Sequence, residues 1–117
     1  MPHPPFDPAC PVTALPFQIG DKWTALVVLC LEDGPMRFGA IRALLPAVTA
    51  KVLTETLRAM SRDGLLDRTE YDENPPRVEY ALTPLGRTML DLVEAVRAWS
   101  RAHLAELLAN RAANTGA

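Results

Sequence analysis

Apolar positions along this chain follow a helical period in several stretches, separated by short breaks rich in polar residues, glycine and proline. Residues 22–32 are apolar around most of a helical circumference, which predicts a core helix that closes at Asp33-Gly34-Pro35. Residues 38–45 are apolar on one side only and end before Pro46, which predicts a short amphipathic helix. Another short helix is predicted over residues 13–19.

A further helical stretch spans residues 49–63, with Thr49 suited to cap its start and Gly64 to end it. Because only a tight turn separates it from the helix at 38–45, the two form a candidate helix-turn-helix. The runs 66–71 and 78–82 are of β type, and the polar segment between them predicts a β-hairpin, or wing.

Thr83-Pro84 supplies an N-cap and a proline suited to a first helical turn, so a long helix is predicted from there to about residue 108. These elements predict a mainly α (α+β) fold, a winged helix-turn-helix with a C-terminal dimerisation helix. The domain is expected to span residues 12–109, with the dimerisation helix at 84–109. The proline-rich residues 1–11 should form a flexible arm, and residues 110–117 a disordered tail.

The helix predicted over residues 49–63 separates its side chains by chemistry. At about 100° per residue, its apolar side chains fall within about 40° of Leu53, and its cations fall on the opposite side. The inward set is Leu53, Leu57 and Met60, and the exposed stripe is Lys51, Thr54, Glu55, Arg58 and Arg62. Such a stripe can bond DNA phosphates and base edges. The alternative is a solvated helix face with a Lys51–Glu55 pair, but the neighbouring short helix and hairpin favour DNA.

Two further arginines flank this helix. Arg77, predicted at the wing tip, could enter a minor groove or hold a phosphate, or could be an ordinary exposed hairpin residue. Arg37, at a strand-like step before the second helix, is a phosphate candidate or a residue at the edge of the core. The predicted DNA-binding residues are Arg37, Thr49, Lys51, Thr54, Glu55, Arg58, Arg62 and Arg77.

Composition adds one constraint on DNA binding. Of the 117 residues, 49% are hydrophobic and 22% charged, which is ordinary for a globular domain. No apolar run approaches the ~18 residues of a membrane span, and the first residues do not resemble a signal peptide. We therefore expect a cytoplasmic protein without a membrane partner. The formal net charge of −2 means that a DNA-binding surface must be local.

Neither an enzymatic activity nor a cofactor is expected from the motifs. The sequence has no phosphate-binding glycine loop and no His-Glu-x-x-His motif. A thiol enzyme would need a base beside Cys10, and nothing in the spacing places His103 there. A zinc site would need His3, Cys10, Cys30 and His103 to converge without the usual close ligand pairs, so no metal is expected. Cys30, deep in an apolar helix, fits an inert core residue.

Seven short motifs, in this order, resemble the HxlR-type winged-helix regulators, relatives of the MarR group. They are Cys10-Pro11-Val12, Gly20-Asp21-Lys22-Trp23-Thr24, Gly34-Pro35-Met36-Arg37-Phe38, Val52-Leu53-Thr54, Asp63-Gly64-Leu65, Pro75-Pro76-Arg77-Val78-Glu79-Tyr80 and Leu82-Thr83-Pro84-Leu85-Gly86. The resemblance covers about residues 10 to 100. Two positions depart from the family pattern. Pro16 interrupts the first helix, and Glu55 stands where many relatives carry a neutral polar residue.

The resemblance implies a homodimeric repressor or activator that binds an inverted-repeat operator in double-stranded DNA. The N-terminal and C-terminal helices would form the dimer interface. Its expected residues are Val12, Leu92, Val96 and Trp99. The apolar stripe of the last helix also favours a partner subunit, because it is too wide for one chain to cover.

Several members of the family use the cysteine of the Cys-Pro-Val motif to sense electrophiles, quinones or oxidants, which implies redox sensing by Cys10. A thiol just before a helix start would have a lowered pKa, which fits that role. Cys10 could instead be a small docking residue at the dimer interface. Two other functions remain open: a winged helix used only for protein contacts, and a ligand-responsive regulator without thiol sensing.

Overall fold

The computed structural model describes residues 22–115. Their elements are α1 (Lys22–Cys30), β1 (Met36–Arg37), α2 (Phe38–Leu44), α3 (Ala50–Arg62), β2 (Leu66–Tyr71), β3 (Arg77–Leu82), α4 (Pro84–Arg87) and α5 (Met89–Thr115). Two helices across a short turn are followed by a hairpin and a long helix, which is a winged helix-turn-helix. The predicted fold class is confirmed. The arm at 1–11 and the helix predicted at 13–19 lie outside the described residues.

Capping residues set the limits of α3. The Val52 N–H donates to Thr49 Oγ1 at 3.1 Å, so Thr49 is the N-cap, as predicted. At the other end Gly64 has a φ of +77°, a left-handed conformation that glycine adopts without a steric penalty. The helix is 13 residues long, or about 20 Å, and the predicted span of 49–63 differs from it only by the two caps.

The wing is an antiparallel hairpin of β2 and β3, and the short β1 pairs with the far edge of β3, giving the order β1-β3-β2. In this register Tyr80 of β3 lies opposite both Met36 and Arg68. Arg77 opens β3 opposite Tyr71, so it lies at the base of the turn rather than at its tip, where the sequence analysis places it. The strand extends one residue further than predicted because Arg77 completes the last ladder pair.

The hydrophobic core lies between the helices and the hairpin. Its buried members include Val27 and Val28 of α1, Ile41 of α2, Leu53, Leu57 and Met60 of α3, and Leu66 and Leu82 of the hairpin. The three apolar side chains of α3 are at most 2% exposed, which confirms the predicted inward face of this helix. From α5 only Val93 joins this buried cluster among the described residues, and Met89 and Leu90 pack against it partly buried, so that the first turns anchor a very long helix to the body.

The helix predicted from Thr83 onward is interrupted once and runs further than predicted. At Thr88 the backbone turns more tightly, because its N–H bonds to the Leu85 carbonyl three residues back. The helix then continues to Thr115, through residues that the sequence analysis expects to be a disordered tail. Alanine and arginine between positions 109 and 113 are strong helix formers, which accounts for the additional turns.

Candidate nucleic-acid interface

The outward face of α3 carries three cations that no acidic side chain within residues 22–115 neutralises. Lys51, Arg58 and Arg62 are exposed, on the side opposite to the buried leucines. Within residues 22–115 none of the three takes part in an ion pair, and the Lys51–Glu55 pair considered from the sequence does not form. Such cations hold only water and mobile ions, which a DNA phosphate can replace.

The other predicted contact residues of the helix-turn-helix occupy its edges. Thr49 is exposed at the start of α3, with its hydroxyl oxygen used by the helix cap. Thr54 is half-buried on the side of α3 that faces the sheet. Arg37 is exposed between β1 and α2, and its strand position lies opposite Glu79.

The wing arginine is engaged within its own hairpin. The Arg77 guanidinium is 3.0 Å from the Glu73 carboxylate and lies over the Tyr71 ring, 4.0 Å from the ring centroid. Its side chain is only 27% exposed, and its Nε is buried without a hydrogen-bond partner in the described part of the chain. Arg77 therefore meets DNA only if phosphate replaces Glu73, or through the outer edge of a guanidinium that Glu73 still holds.

A concave seam of about 350 Å³ separates α3 from the hairpin. Its walls are Thr54, Leu57, Arg58 and Ser61 from α3, and Arg68 and Tyr80 from the two strands. Interaction with the Tyr80 hydroxyl, and more weakly with Glu70, raises the pKa of Arg68, which keeps the guanidinium charged. Two arginines from different elements therefore share one small depression.

Arg68 is absent from the residues predicted to contact DNA, although the sequence holds a signal for it. Side chains alternate along a strand, so Arg68 lies on the same face as Leu66, the face packed on α3. The alternation rule places Arg68 beside α3. Its partner Tyr80 depends on the register between two strands, which a motif search does not supply.

The outer part of α5 presents apolar side chains to solvent. Leu92, Val96, Trp99, Leu104 and Leu108 are between 43% and 56% exposed. The Trp99 ring stacks on His103 with 5.0 Å between ring centroids, so even this histidine belongs to the same face. A 27-residue helix is about 40 Å long, and the body of this chain covers only its first turns.

The profile of the HxlR-like helix-turn-helix family matches residues 18–107 of the sequence. The chain belongs to this family. It is a transcription regulator with a helix-turn-helix DNA-binding fold, and the regulators of its family are not enzymes.

Curated relatives carry the same description over most of their length. An HTH-type transcriptional regulator of Methanothermobacter thermautotrophicus is 40% identical over 92 residues, which is 79% of this chain and 70% of the relative. The HTH-type transcriptional regulator YtfH of Escherichia coli is 36% identical over 106 residues, which is 91% of this chain and 84% of the relative.

Solved structures of two similar proteins share the fold. The putative transcriptional regulator YtfH from Salmonella typhimurium superposes with a TM-score of 0.77 at 36% identity, covering 92% of this chain and 96% of the other. The redox regulator HypR in its reduced form superposes with a TM-score of 0.73 at 35% identity, covering 78% and 90%.

Three further findings on this HxlR-like regulator concern a thiol, possible metal ligands and possible membrane spans. Cys30 is half-buried against the core, and burial raises the pKa of its thiol, which disfavours the reactive thiolate. Cys10 and Val12 lie outside the described residues. Between residues 22 and 115 no three His, Cys, Asp or Glu side chains converge as metal ligands would. None of the helices described is both long and apolar enough to cross a bilayer.

Proposed function

We propose that this HxlR-like regulator acts as a homodimer and binds an inverted-repeat operator in double-stranded DNA through α3 and the wing. The observation that carries the proposal is the set of unpaired cations on α3, opposite a face that is fully buried. A helix anchored in this way fixes the backbone positions from which its cations project, so that its backbone need not rearrange when DNA binds.

The DNA-contacting residues are those selected from the sequence, with roles that now follow from position. Lys51, Arg58 and Arg62 bind phosphates or base edges along α3, together with Thr49, Thr54 and Glu55. Glu55 accepts hydrogen bonds from base amino groups, because it is exposed and has no cation of its own. Arg37 and Arg77 provide contacts on either side of α3.

The apolar face of α5 supports the homodimer. Leu92, Val96 and Trp99 are exposed in one chain, and a twofold axis would bury each of them against the partner subunit. The same axis would set the two α3 helices about 34 Å apart, one turn of DNA. Val12 belongs to this proposed interface by the resemblance of its motif.

Redox control is proposed to act through Cys10. HypR was solved in a reduced and an oxidised form, and the regulator YodB of Bacillus subtilis after diamide treatment. Modification of the Cys10 thiol would change the separation of the α3 helices without a new contact at the DNA. Cys10→Ser should abolish the effect of diamide on DNA binding, and an unchanged response in that variant would overturn this part.

One observation favours a second mode of control. A groove of about 480 Å³ lies between α1 and α5, with apolar walls from Leu26, Leu29 and Val96. Arg97 and Arg101 line it as well, and both contact Glu94, at 3.3 and 2.9 Å. This groove suits an apolar effector and would make the protein a ligand-responsive regulator without thiol sensing.

DNA binding is tested by selecting duplexes from a random pool with the purified protein and titrating the selected duplex against salt. If Lys51, Arg58, Arg62 and Arg77 of each subunit contact phosphates, the dimer makes eight contacts and log K should fall with log salt at a slope of about −7. Arg58→Ala should reduce the steepness by about 2, one contact in each subunit. Arg87→Ala, which removes an equal charge from exposed α4, is the control and should have little effect.

The same experiment separates the alternative. If no duplex is selected from the pool, and any residual binding of DNA shows no salt dependence, the proposal is wrong. The winged helix is then used for protein contacts. Light scattering of the purified protein tests the homodimer separately, with a mass near 12.8 kDa excluding it.

A further inference from the structure

We infer that the seam between α3 and the hairpin is a binding site for a single DNA phosphate, with Arg68 as a contact residue alongside Arg58. The inference rests on the proposed DNA binding and assigns it a site that the sequence motifs do not indicate. The ligand is a phosphodiester of the strand that separates the major groove from the adjacent minor groove.

The position of the seam follows from the geometry of DNA. A protein that places one helix in the major groove and a wing beside the neighbouring minor groove must straddle the sugar-phosphate backbone between them. Within residues 22–115, this seam is a concave surface between α3 and the hairpin. A backbone phosphate must therefore pass over or into it when both elements engage the duplex.

The chemistry of the seam matches that ligand. Arg58 reaches it from α3 and Arg68 from β2, so two guanidinium groups can each offer parallel N–H donors to phosphate oxygens. Tyr80 and Thr54 add hydroxyl groups on opposite walls. Ser61 also lines the seam, and its Oγ is buried without a hydrogen-bond partner among the described residues. Leu57 closes the floor.

Arg68 is held ready for this contact. Its strand position lies directly opposite Tyr80, and its guanidinium is 3.5 Å from Glu70, at the outer limit of an ion pair between two exposed groups. Such an exposed pair contributes little, so phosphate can replace Glu70 at small cost. The sheet thus orients Arg68, and the exposed Glu70 does not neutralise its charge fully.

The test measures duplex affinity and salt dependence for Arg68→Ala and Arg68→Lys, with Arg87→Ala as the matched loss of one positive charge. Arg68→Ala should weaken binding about tenfold or more and reduce the steepness of the salt slope by about 2 per dimer. Arg68→Lys should fall between, because lysine keeps the charge but loses the paired donors. Thermal melting by circular dichroism and the mass of the oligomer confirm that each variant is folded and assembled.

A second arm locates the phosphate. Neutral methylphosphonate linkages are placed one at a time along the selected duplex. At one linkage per half-site the substitution should weaken binding by the wild type more than binding by Arg68→Ala, since only the Arg58 contact then remains to be lost.

Each outcome of these measurements either supports or overturns the phosphate site. Wild-type binding with equal affinities for Arg68→Ala and Arg87→Ala overturns the site and leaves the proposed function standing. The site is also overturned, and the proposed function left standing, if no methylphosphonate linkage affects binding by the wild type differently from binding by Arg68→Ala. If free inorganic phosphate perturbs the NMR signal of the Arg68 guanidinium Nε–H while no duplex binds, the seam is a small-anion site, and both this inference and the proposed function fail.

Discussion

Replacing Glu73 by glutamine should strengthen DNA binding. The substitution keeps the size of the side chain and removes the charge that holds Arg77 at 3.0 Å. In the wild type, phosphate must replace this carboxylate before Arg77 can bind DNA with its whole guanidinium. Glu73 also lies on the turn of the wing, where its own charge repels the duplex.

The size of the effect follows from the exposure of the two groups. Arg77 is 27% exposed and Glu73 is 49% exposed, so the pair lies in the range of partly exposed ion pairs, about 0.2–1 kcal/mol. A dimer breaks two such pairs, which amounts to about 0.4–2 kcal/mol, or about 2- to 30-fold in affinity. The contact of Arg77 with the Tyr71 ring should survive, because it does not involve the carboxylate.

The assay is the affinity of the selected duplex at a fixed salt concentration, with Asp72→Asn as the control. Asp72 is the exposed neighbour of Glu73, and its substitution changes the net charge by the same amount without touching the pair. Glu73→Gln should bind more tightly than Asp72→Asn. Equal affinities of the two variants would show that the effect is only general repulsion between negative charge on the wing and the duplex. Weaker binding by Glu73→Gln would show that Glu73 positions Arg77 for DNA rather than competing with DNA for Arg77.

Three further predictions concern the scaffold. Gly86→Ala should destabilise the fold by about 1–3 kcal/mol in denaturant unfolding, because a Cβ would overlap the Leu65 carbonyl oxygen, whereas Gly39→Ala meets open space and should not. Thr49→Ala should cost about 1 kcal/mol through loss of the α3 cap, and Thr49→Ser should recover most of it; equal losses would exclude the capping role. Trp99→Asp should give a folded monomer by light scattering while Ala98→Asp remains a dimer, and a dimer in both would remove this face of α5 from the interface.

The helix-turn-helix could be predicted from the sequence because local rules determine its limits. Thr49 as a cap and Gly64 as a terminator act within one turn of chain, and the inward leucines of α3 follow directly from the helical period. The interruption at Thr88 could not be predicted in this way. It lies where α4 packs so closely on Leu65 that Gly86 has no room for a side chain, and this contact spans twenty-one positions along the chain.

The predicted DNA-contact residues also divide into those that local rules identify and those whose partners depend on the tertiary fold. The cations of α3 could be identified because their direction depends on one helix alone. The partners of Arg68 and Arg77 depend on strand register and on the shape of a turn, so neither the seam nor the Glu73 contact is visible in a motif. The sequence therefore identified Arg77 as an arginine of the wing. It did not indicate the ion pair of Arg77 with Glu73 or its contact with the Tyr71 ring.

The pairing of cations explains how a chain of net charge −2 can present a DNA-binding surface. On α3, Lys51, Arg58 and Arg62 outnumber Glu55 and have no partners in the described residues, so their attraction to DNA is available at every encounter. On the hairpin, Arg68 and Arg77 each have a glutamate of their own. Their full contacts form only when a phosphate displaces that glutamate, at small cost for the 3.5 Å pair of Arg68 and at a higher cost for the 3.0 Å pair of Arg77.

This division has a consequence for specificity. The unpaired cations of α3 give affinity for any duplex, and that affinity alone does not distinguish an operator from other DNA. The paired arginines add their contacts only where α3 sits deeply enough to bring a phosphate to the hairpin, which requires the right sequence and shape beneath it. Glu70 and Glu73 should therefore lower binding to unrelated DNA more than binding to the operator. Removing both should raise total affinity and reduce discrimination, whereas a uniform gain across all duplexes would show that the wing glutamates act only as bulk charge.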